Sequence, residues 1–332
     1  MSVRIGINGF GRIGRYATRL LADTNDLDLV AINARADNES LAHLLKYDSV
    51  HGTFQGSVQA NDQGFMLNGK QVAVTRNPAG EWTWGDYGID MVLETTGKFK
   101  DRTACRPHLD SGAKKVLISA PGKDCDISIV MGVNDQELKP EHSIISNASC
   151  TTNCLAPAAK VLHDSFGLLR GTMTTIHSYT MTQRILDGSH KDLRRARAAA
   201  MSMIPTSTGA AKAVTEVIPE LKGKLDGMAI RVPTPNVSLV DLSADVGQKV
   251  TGQEVNQAMK AASEGQLKNI LGYCEEPLVS VDYVGSIYGG VVDALTTTVT
   301  DQTLVKLIVW YDNEAGFTHQ LLRLAEKTAT ML

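Results

Sequence analysis

A glycine-rich turn close to the amino terminus limits the folds that this chain can adopt. Residues 3–7 form a short apolar run typical of a buried strand, and an apolar-periodic segment predicts a helix to about residue 22. Between them lies Gly9-Phe10-Gly11-Arg12-Ile13-Gly14, a G-x-G-x-x-G pattern. Glycines at such a junction permit a tight turn and let a pyrophosphate approach the amino terminus of the helix. The pattern predicts a dinucleotide-binding turn, and the alternative is a structural loop of the same composition.

The rest of the first half alternates short apolar runs with helical periodicity. Strands are predicted at residues 27–33, 72–75, 90–94, 116–119, 127–130 and 143–146, and helices at 36–47 and 102–111. Several strands end in loops rich in glycine and threonine, such as Thr95-Thr96-Gly97. This alternation predicts a Rossmann-type α/β fold with a doubly wound parallel sheet, which binds ligands at the carboxyl ends of its strands.

The second half is dominated by longer runs rich in β-branched residues. Strands are predicted at residues 167–176, 225–232, 238–246 and 306–311, with a β-rich segment at 289–300 and a final helix at 313–328. We expect an α+β catalytic domain with a largely antiparallel sheet. Because no linker separates the halves, the sequence predicts a dinucleotide-binding domain of residues 1–149 with 313–332, onto which the last helix packs, and a catalytic domain of residues 150–312.

Cys150 is the first candidate nucleophile, because a polar turn leads from a predicted strand into a helix at this residue. Free N–H groups and the positive end of the helix dipole favour a thiolate there. Ser149, Thr151 and Thr152 add hydroxyl groups that suit an anion or a developing oxyanion. The alternative is that Cys150, like Cys154, is a small buried core residue.

His177 is the candidate base. It follows the strand predicted at residues 167–176, a position at which a lone histidine is often structural. With a candidate nucleophile upstream it becomes a partner base, and a thiolate–imidazolium pair would stabilise the nucleophile. The same imidazole could take up the proton when a thiohemiacetal collapses to a thioester.

Charge and cysteine content exclude several other classes. A net charge of -3 gives no support for binding to nucleic acid or to an anionic membrane. The five cysteines are scattered and odd in number, and their spacing matches neither a disulfide framework nor a zinc site, so we expect no metal. The chain has no apolar run of about 18 residues and no signal peptide. These features predict a soluble protein of a reducing compartment, the cytoplasm.

Seven motifs in one order closely resemble the phosphorylating glyceraldehyde-3-phosphate dehydrogenase family along essentially the whole chain. They are INGFGRIGR (7–15), LKYDSVHG (45–52), SNASCTTNCLAP (146–157), HSYT (177–180), DLRRARAAA (192–200), RVPTPNVS (231–238) and WYDNEAGF (310–317). The resemblance implies that Cys150 attacks the aldehyde, that His177 acts as base and that hydride passes to a nicotinamide. Inorganic phosphate would then cleave the thioester to give 1,3-bisphosphoglycerate.

The resemblance also implies roles for further residues. Thr180 and Arg231 would hold the C3 phosphate of the substrate, and Arg195 would serve the anion sites. The attacking phosphate would be held by Ser149, Thr151, Thr208 and Gly209. The cofactor would be held by Gly9, Gly11, Arg12, Ile13, Asn33, Arg35, Arg76, Thr95, Ser119, Ser189 and Asn313. A homotetramer is implied, in which the basic segment 179–201 reaches the cofactor site of a neighbouring subunit.

Three departures from the family pattern bear on the cofactor and on phosphate binding. Ala34 stands where NAD-selective members carry aspartate, and Gly188-Ser189 stands where they carry Leu-Pro. Without the acid, Arg35 could pair with a 2′-phosphate and Ser189 could donate a hydrogen bond to it, although Arg35 could also be a solvated loop residue. We therefore expect NADP to be favoured over NAD, which fits gluconeogenic or photosynthetic reduction. Met181-Thr182 replaces Asn-Asp of many relatives and puts a phosphate contact from position 182 in doubt.

Two rival functions are weighed against this prediction. Erythrose-4-phosphate dehydrogenase shares the scaffold and the Cys–His pair, but the intact phosphate-cleavage motifs and HSYT argue against it. A non-catalytic binding relative is opposed by the presence of Cys150, His177 and Arg231 and by the negative net charge.

Overall fold

The computed structural model describes residues 2–332, which divide into two compact units. The first unit runs from the amino terminus to Ile129 and includes Asp135–Ala148 and Leu321–Leu332. The second comprises Val130–Asn134 and Ser149–Gln320. Within residues 2–332, no helix combines the length and the apolar character that crossing a membrane requires.

The first unit is built on one sheet of nine described strands. These are β1 (Val3–Asn8), β2 (Leu27–Asn33), β3 (Val58–Asn61), β4 (Gly64–Leu67), β5 (Lys70–Thr75), β6 (Met91–Glu94), β7 (Lys115–Ile118), β8 (Ile127–Ser128) and β9 (Ile144–Ser146). Their order in the sheet is β3-β4-β5-β2-β1-β6-β7-β9-β8. The strands from β5 to β8 in that order pair in parallel, and β3 and β4 add antiparallel edges. The helices are α1 (Arg12–Leu21), α2 (Asn38–Lys46) and α3 (Arg102–Asp110).

The predicted Rossmann-type sheet is confirmed, and its burial explains why the prediction worked. All four residues of β6 and all four of β7 are buried, as expected for parallel strands covered on both faces. The edge hairpin of β3 and β4 was not predicted, because its first strand is short, polar and only partly buried. Residues 127–130 form a strand of only two residues, Ile127–Ser128.

The second unit combines helices with one mixed sheet. Its elements are α4 (Cys150–Phe166), β10 (Leu168–Ser178), β11 (Ile204–Ser207), α5 (Ala210–Val217), β12 (Leu225–Val232), β13 (Ser238–Val246), α6 (Gly252–Glu264), β14 (Leu271–Cys274), β15 (Gly290–Asp293), β16 (Thr298–Thr300), β17 (Leu304–Tyr311) and α7 (Ala315–Ala329), whose last turns belong to the first unit. The main strand order is β11-β12-β10-β13-β17-β15-β14, and β16 pairs with β17. Five of the seven described pairings are antiparallel, which fits the predicted α+β domain.

The core of the second unit positions α4. Every second residue of β13 is buried, so one face of this strand points into the core. The apolar side of α4, with Leu155, Ala158, Ala159 and Leu162 all fully buried, packs against β10, β13 and β17. This packing fixes the amino terminus of α4, and therefore Cys150, relative to the carboxyl end of β10.

Candidate functional site

Cys150 and His177 lie side by side in the second unit. Cys150 is the first residue of α4, and Ser149 caps the helix by accepting a hydrogen bond from the N–H of Thr152 at 3.0 Å. β10 extends through Ser178, so His177 lies inside the strand rather than after it, and only 4% of its surface is exposed. The Cys150 Sγ is 3.5 Å from His177 Nε2. The predicted nucleophile and base are therefore in contact.

Two neighbours of His177 Nδ1 make opposite demands on its tautomer. Nδ1 lies 2.7 Å from the carbonyl oxygen of Ser178, which can only accept, and 2.8 Å from a guanidinium nitrogen of Arg231, which can only donate. The same carbonyl accepts a hydrogen bond from the guanidinium of Arg231 at 2.8 Å. Arg231 is the register partner of His177 in the parallel pair of β10 and β12. In the tautomer that donates from Nδ1 to the Ser178 carbonyl, Nε2 is free to accept the proton of the Cys150 thiol.

The pKa shifts of Cys150 and His177 oppose the ion pair expected from the sequence. Burial raises the pKa of the Cys150 thiol, and the Arg231 charge and the amides of the first helical turn oppose this only in part. Burial and the Arg231 cation lower the pKa of His177 to about 3. The predicted thiolate–imidazolium pair is disfavoured, because a protonated His177 would hold its charge 2.8 Å from the Arg231 guanidinium. Both pKa shifts favour a neutral thiol and a neutral imidazole, with the proton moving when the sulfur attacks.

Arg231 also faces Thr180, which follows β10. One guanidinium nitrogen of Arg231 is 3.5 Å from the Thr180 hydroxyl, and its Nε has no hydrogen-bond acceptor among residues 2–332. The Thr180 hydroxyl is 2.9 Å from that of Thr182. A half-buried guanidinium with an unpaired N–H beside a hydroxyl is a suitable anion site.

Three of the other residues predicted to bind phosphate, Arg195, Thr208 and Gly209, lie near the amino terminus of α5, which packs against α4. Gly209 directly precedes α5, and the Thr208 hydroxyl accepts a hydrogen bond from the N–H of Ala210 at 3.2 Å. Arg195 donates to the Thr206 hydroxyl at 2.9 Å and to the Ser207 carbonyl at 3.3 Å. These contacts hold one cation close to a helix amino terminus, where N–H groups are available.

Thr151 departs from the side-chain role that the sequence suggested. Thr151 is only 4% exposed, and its hydroxyl is 2.8 Å from the Tyr311 hydroxyl. The Tyr311 hydroxyl is in turn 2.8 Å from the Thr175 hydroxyl. The Thr151 hydroxyl is therefore occupied by a hydrogen bond inside the protein. The backbone N–H of Thr151, in the first turn of α4, is the group that can bind an anion. Sequence reasoning missed Tyr311 and Thr175, since nothing in their spacing relates them to Thr151.

The first unit carries a cleft of about 490 Å³ at the carboxyl ends of its parallel strands. Six residues predicted to bind the cofactor line it, namely Gly9, Gly11, Asn33, Arg35, Arg76 and Thr95. Gly9 adopts a φ of 99°, and a side chain on Gly14 would collide with the Gly9 carbonyl oxygen, so the turn requires both glycines. The predicted dinucleotide-binding turn thus opens onto a cleft of suitable size.

Five further cofactor candidates lie outside this lining. Arg12 and Ile13 begin α1, and the N–H of Ser119 donates to the carbonyl of Glu94 at 3.0 Å. Ser189 and Asn313 belong to the second unit, where the Ser189 carbonyl accepts from Arg184 and the Asn313 Oδ1 accepts from the Ser238 hydroxyl at 2.8 Å. The Asn313 amide is thereby oriented with its nitrogen free of this contact.

Family models and curated relatives match nearly all of the chain. The model described as "Glyceraldehyde 3-phosphate dehydrogenase, NAD binding domain" matches residues 3–102, and that described as "Glyceraldehyde 3-phosphate dehydrogenase, C-terminal domain" matches residues 149–313. The glyceraldehyde-3-phosphate dehydrogenase of Geobacillus stearothermophilus is 58% identical over 99% of both chains. The chain belongs to the glyceraldehyde-3-phosphate dehydrogenase family. Glyceraldehyde-3-phosphate dehydrogenase 2 of Nostoc sp. is 53% identical over 98% of both chains, and the enzyme of that name from Bacillus subtilis is 49% identical over 100% of this chain and 98% of its own.

In this member of the family, Arg12 forms an ion pair beside the glycine-rich turn. Its guanidinium binds both carboxylate oxygens of Asp48, which also accepts from the N–H groups of Val50 and His51 at 2.9 and 3.0 Å. Burial alone would raise the pKa of Asp48, but these partners outweigh burial and hold its pKa well below the ordinary value. A depressed carboxyl pKa stabilises the fold above the unfolded pKa of about 4, and this contribution is lost as the pH falls further.

Asp48→Asn is therefore expected to lower the free energy of unfolding by about 2–4 kcal/mol at pH 7, because it removes the carboxylate charge that faces the partly buried Arg12. The loss should shrink at about pH 3, because the Asp48 carboxyl of the unfolded wild type is largely protonated there while that of the folded protein is still ionised. Urea denaturation at both pH values measures it. Asp28→Asn, which removes the exposed pair with Lys70, is the matched control and should cost less than about 1 kcal/mol. An equal loss in both variants would contradict the assignment.

Proposed function

We propose that this chain catalyses the reversible phosphorylating oxidation of D-glyceraldehyde 3-phosphate to 1,3-bisphosphoglycerate. The observation that carries the proposal is the contact of Cys150 Sγ with His177 Nε2 at 3.5 Å, at the amino terminus of a helix and beside the guanidinium of Arg231. Nucleophile, base and anion donor within one cluster are what acyl transfer through a thioester requires.

The chemistry follows from these groups. Sγ bonds to the aldehyde carbon while the thiol proton passes to Nε2, and the first-turn amides of α4 favour the developing oxyanion. When bound, the nicotinamide cofactor supplies the acceptor for the hydride. His177 Nε2 gives the thiol proton to the oxyanion, which completes the thiohemiacetal hydroxyl, and takes it back as hydride leaves the carbon and the thioester forms. It can return this proton to the Cys150 sulfur when phosphate displaces the sulfur.

The anion sites are assigned by the same proposal. Thr180 and Arg231 hold the C3 phosphate, whereas Ser149, Thr151, Thr208 and Gly209 hold the attacking phosphate, with Arg195 serving both. Helix amino termini and arginine side chains are the groups that recognise phosphate best. The contact of Thr151 is assigned to its backbone N–H, because its hydroxyl is bonded to Tyr311.

Initial rates test the proposal directly. We expect oxidation of glyceraldehyde 3-phosphate with either NAD or NADP, and we expect its steady rate to depend on inorganic phosphate. Faster turnover of erythrose 4-phosphate would favour the rival dehydrogenase. Absence of turnover with both aldehydes and both cofactors would overturn the proposal.

We propose further that NADP is preferred, with Gly9, Gly11, Arg12, Ile13, Asn33, Arg76, Thr95, Ser119 and Asn313 holding the parts shared with NAD. Ala34 is 7% exposed in the cleft and carries no charge, and the exposed Arg35 beside it can approach a 2′-phosphate. Ser189 would contribute from a neighbouring subunit of a homotetramer. The exposed apolar side chains of Met181, Leu193 and Met201, each at least 80% exposed, support such an interface.

Ala34→Asp is expected to shift the ratio of kcat/KM for NADP to that for NAD by about 10- to 100-fold toward NAD. A carboxylate at this position repels the 2′-phosphate and can accept from the ribose 2′-hydroxyl. Steady-state kinetics with both cofactors measure the ratio. Ala36→Asp adds the same charge at an exposed position outside the cleft lining and should leave the ratio nearly unchanged. If NADP use survives in the Ala34 variant, the cofactor argument fails.

We propose that the chain is a cytoplasmic enzyme with two domains. Residues 1–149 with 313–332 form its dinucleotide-binding domain and residues 150–312 its catalytic domain. The compact units change at Ser149, which supports the first boundary, but the first unit holds Leu321–Leu332 rather than all of residues 313–332, and Val130–Asn134 falls in the second unit.

A further inference from the structure

A buried carboxylate that the catalytic mechanism does not use lies beneath the cofactor cleft. Glu94 ends β6 and is 1% exposed, and His108 of α3, next to it, is fully buried. The His108 Nε2 is 3.2 Å from Glu94 Oε2, and its Nδ1 lies 2.9 Å from the indole nitrogen of Trp84. An indole N–H can only donate, so His108 Nδ1 accepts and Nε2 carries the proton that Glu94 receives.

Both carboxylate oxygens of Glu94 accept hydrogen bonds from several neighbours. Its Oε2 also accepts from the Asn8 amide nitrogen at 2.6 Å, and its Oε1 accepts from the Thr96 N–H at 2.7 Å and from the Thr96 hydroxyl. An ionised carboxylate has only acceptor sites, so each of these neighbours must act as a donor. A buried charge is tolerated only when its lone pairs are occupied in this way.

The orientation that Glu94 imposes on Asn8 also determines the orientation of Asn33. Because Asn8 gives its nitrogen to Glu94, its Oδ1 faces away and accepts from the Asn33 amide nitrogen at 2.9 Å. The Asn33 Oδ1 in turn accepts from the Thr75 hydroxyl at 3.0 Å. The backbone carbonyl of Asn77, 3.3 Å from the Asn33 nitrogen, holds Asn33 in the same orientation. Every hydrogen bond of the series therefore points toward Glu94.

We propose that Glu94 is a positioning residue for the dinucleotide: its carboxylate, held by His108 and Trp84, sets which atoms of Asn8, Asn33 and Thr96 face the cleft as donors or acceptors. All three of these residues line the cleft. The proposal rests on the proposed function, since it needs a dinucleotide in this cleft. It assigns to Glu94 an effect on cofactor affinity and none on the chemistry at Cys150.

Glu94→Gln tests the proposal, because the change keeps the size of the side chain and introduces an amide nitrogen. Trp84 keeps His108 a donor at Nε2, so an amide nitrogen at the Oε2 position would meet the donors of His108 and Asn8. At the Oε1 position it would meet the N–H of Thr96. To remove the clash, the side-chain amide of Asn8 and then that of Asn33 must rotate by half a turn. The Asn77 carbonyl, which accepts from the Asn33 nitrogen, opposes this rotation. We expect the Kd for NAD and for NADP, measured by calorimetry, to rise about tenfold or more. The KM for the cofactor should rise with it, while kcat and the KM for the aldehyde stay within about twofold.

Two further variants separate positioning from a general loss of stability. Glu81→Gln makes the same chemical change at an exposed position near the cleft and should leave both Kd values unchanged. Adding Trp84→Phe to Glu94→Gln removes the N–H that fixes the His108 tautomer, so the ring can accept from the new amide, and part of the affinity should return. A lower melting temperature with unchanged Kd in Glu94→Gln would show a merely structural role and overturn the proposal.

The failures of the two proposals are distinguishable. Wild-type protein that binds neither cofactor removes the proposed function and this inference with it, whereas wild-type binding matched by Glu94→Gln removes this inference alone. If Glu94→Gln does not fold, neutron diffraction from deuterium-exchanged wild-type crystals decides. Deuterons on His108 Nε2 and on the Asn8 nitrogen facing Glu94 are expected. A deuteron on His108 Nδ1, or an inverted Asn8 amide, would overturn the proposal.

Discussion

Replacing Cys150 by serine is expected to lower kcat/KM for glyceraldehyde 3-phosphate oxidation by about 10⁴-fold or more. A serine hydroxyl is a far weaker nucleophile than a thiol at neutral pH, and an oxygen ester is a poorer acyl donor to phosphate than a thioester. The fold should tolerate the change, because Cys150 is only half-buried and Ser149, not Cys150, caps α4.

Cys154→Ser is the matched control for this prediction. Cys154 lies one turn further along α4, is fully buried and has its sulfur 3.5 Å from the Val309 carbonyl. Its variant should keep kcat/KM within about threefold and lose some stability, since a hydroxyl replaces a core thiol. Iodoacetamide should alkylate Cys150 and thereby inactivate both this control and the wild type. In Cys150→Ser, the peptide that contains residue 150 should remain unmodified. Activity above about a tenth of wild type in Cys150→Ser would assign the nucleophile elsewhere.

Long apolar strands and the glycine-rich turn of this chain could be predicted from sequence because their signals are local. The predicted bounds 225–232 and 238–246 coincide with β12 and β13, whose alternating or β-branched residues define each strand without reference to its neighbours. The predicted helix at 36–47 became Asn38–Lys46, since Asp37 caps it by accepting from the Ser40 N–H at 2.8 Å. Such boundary errors reflect capping contacts that a periodic pattern does not contain.

Features that depend on distant parts of the chain were not predictable in the same way. His177 lies within β10 because its strand pairs with β12, in which Arg231 is its partner 54 residues later. The Thr151 hydroxyl is withdrawn from the site by Tyr311, 160 residues away in sequence. The pKa shifts of Cys150 and His177 follow from burial and from the Arg231 charge, and neither quantity can be read from residue spacing.

Replacing His177 by asparagine is expected to lower kcat by about 10²- to 10⁴-fold, the usual contribution of a general base. Asparagine can keep the hydrogen bond that Nδ1 donates to the Ser178 carbonyl, but it has no basic nitrogen opposite the Cys150 sulfur. Pre-steady-state measurement of cofactor reduction should show that formation of the thioester, rather than product release, is slowed. Unchanged kcat at pH 7 would assign the base to another residue.

The pH dependence of stability provides a second test of His177. A histidine with a depressed pKa is neutral in the folded protein, so its contribution is complete above the unfolded pKa of about 6.5 and is lost as the pH falls toward about 3. Wild type should therefore lose up to about 1.4 kcal/mol per pH unit through this group below about pH 6.5, and His177→Asn should not. Parallel stability profiles in wild type and variant between pH 7 and pH 4 would contradict the lowered pKa.

The double variant Cys150→Ser/His177→Asn decides whether the base acts only through the sulfur. If the role of His177 is to move protons to and from Cys150 and the groups bonded to it, its removal should cost almost nothing once the sulfur is absent. We expect the double variant to match Cys150→Ser within about threefold in residual rate. Multiplication of the two single losses would mean that His177 assists the reaction independently of Cys150, for example by holding the substrate, and the 3.5 Å contact would then have a different meaning.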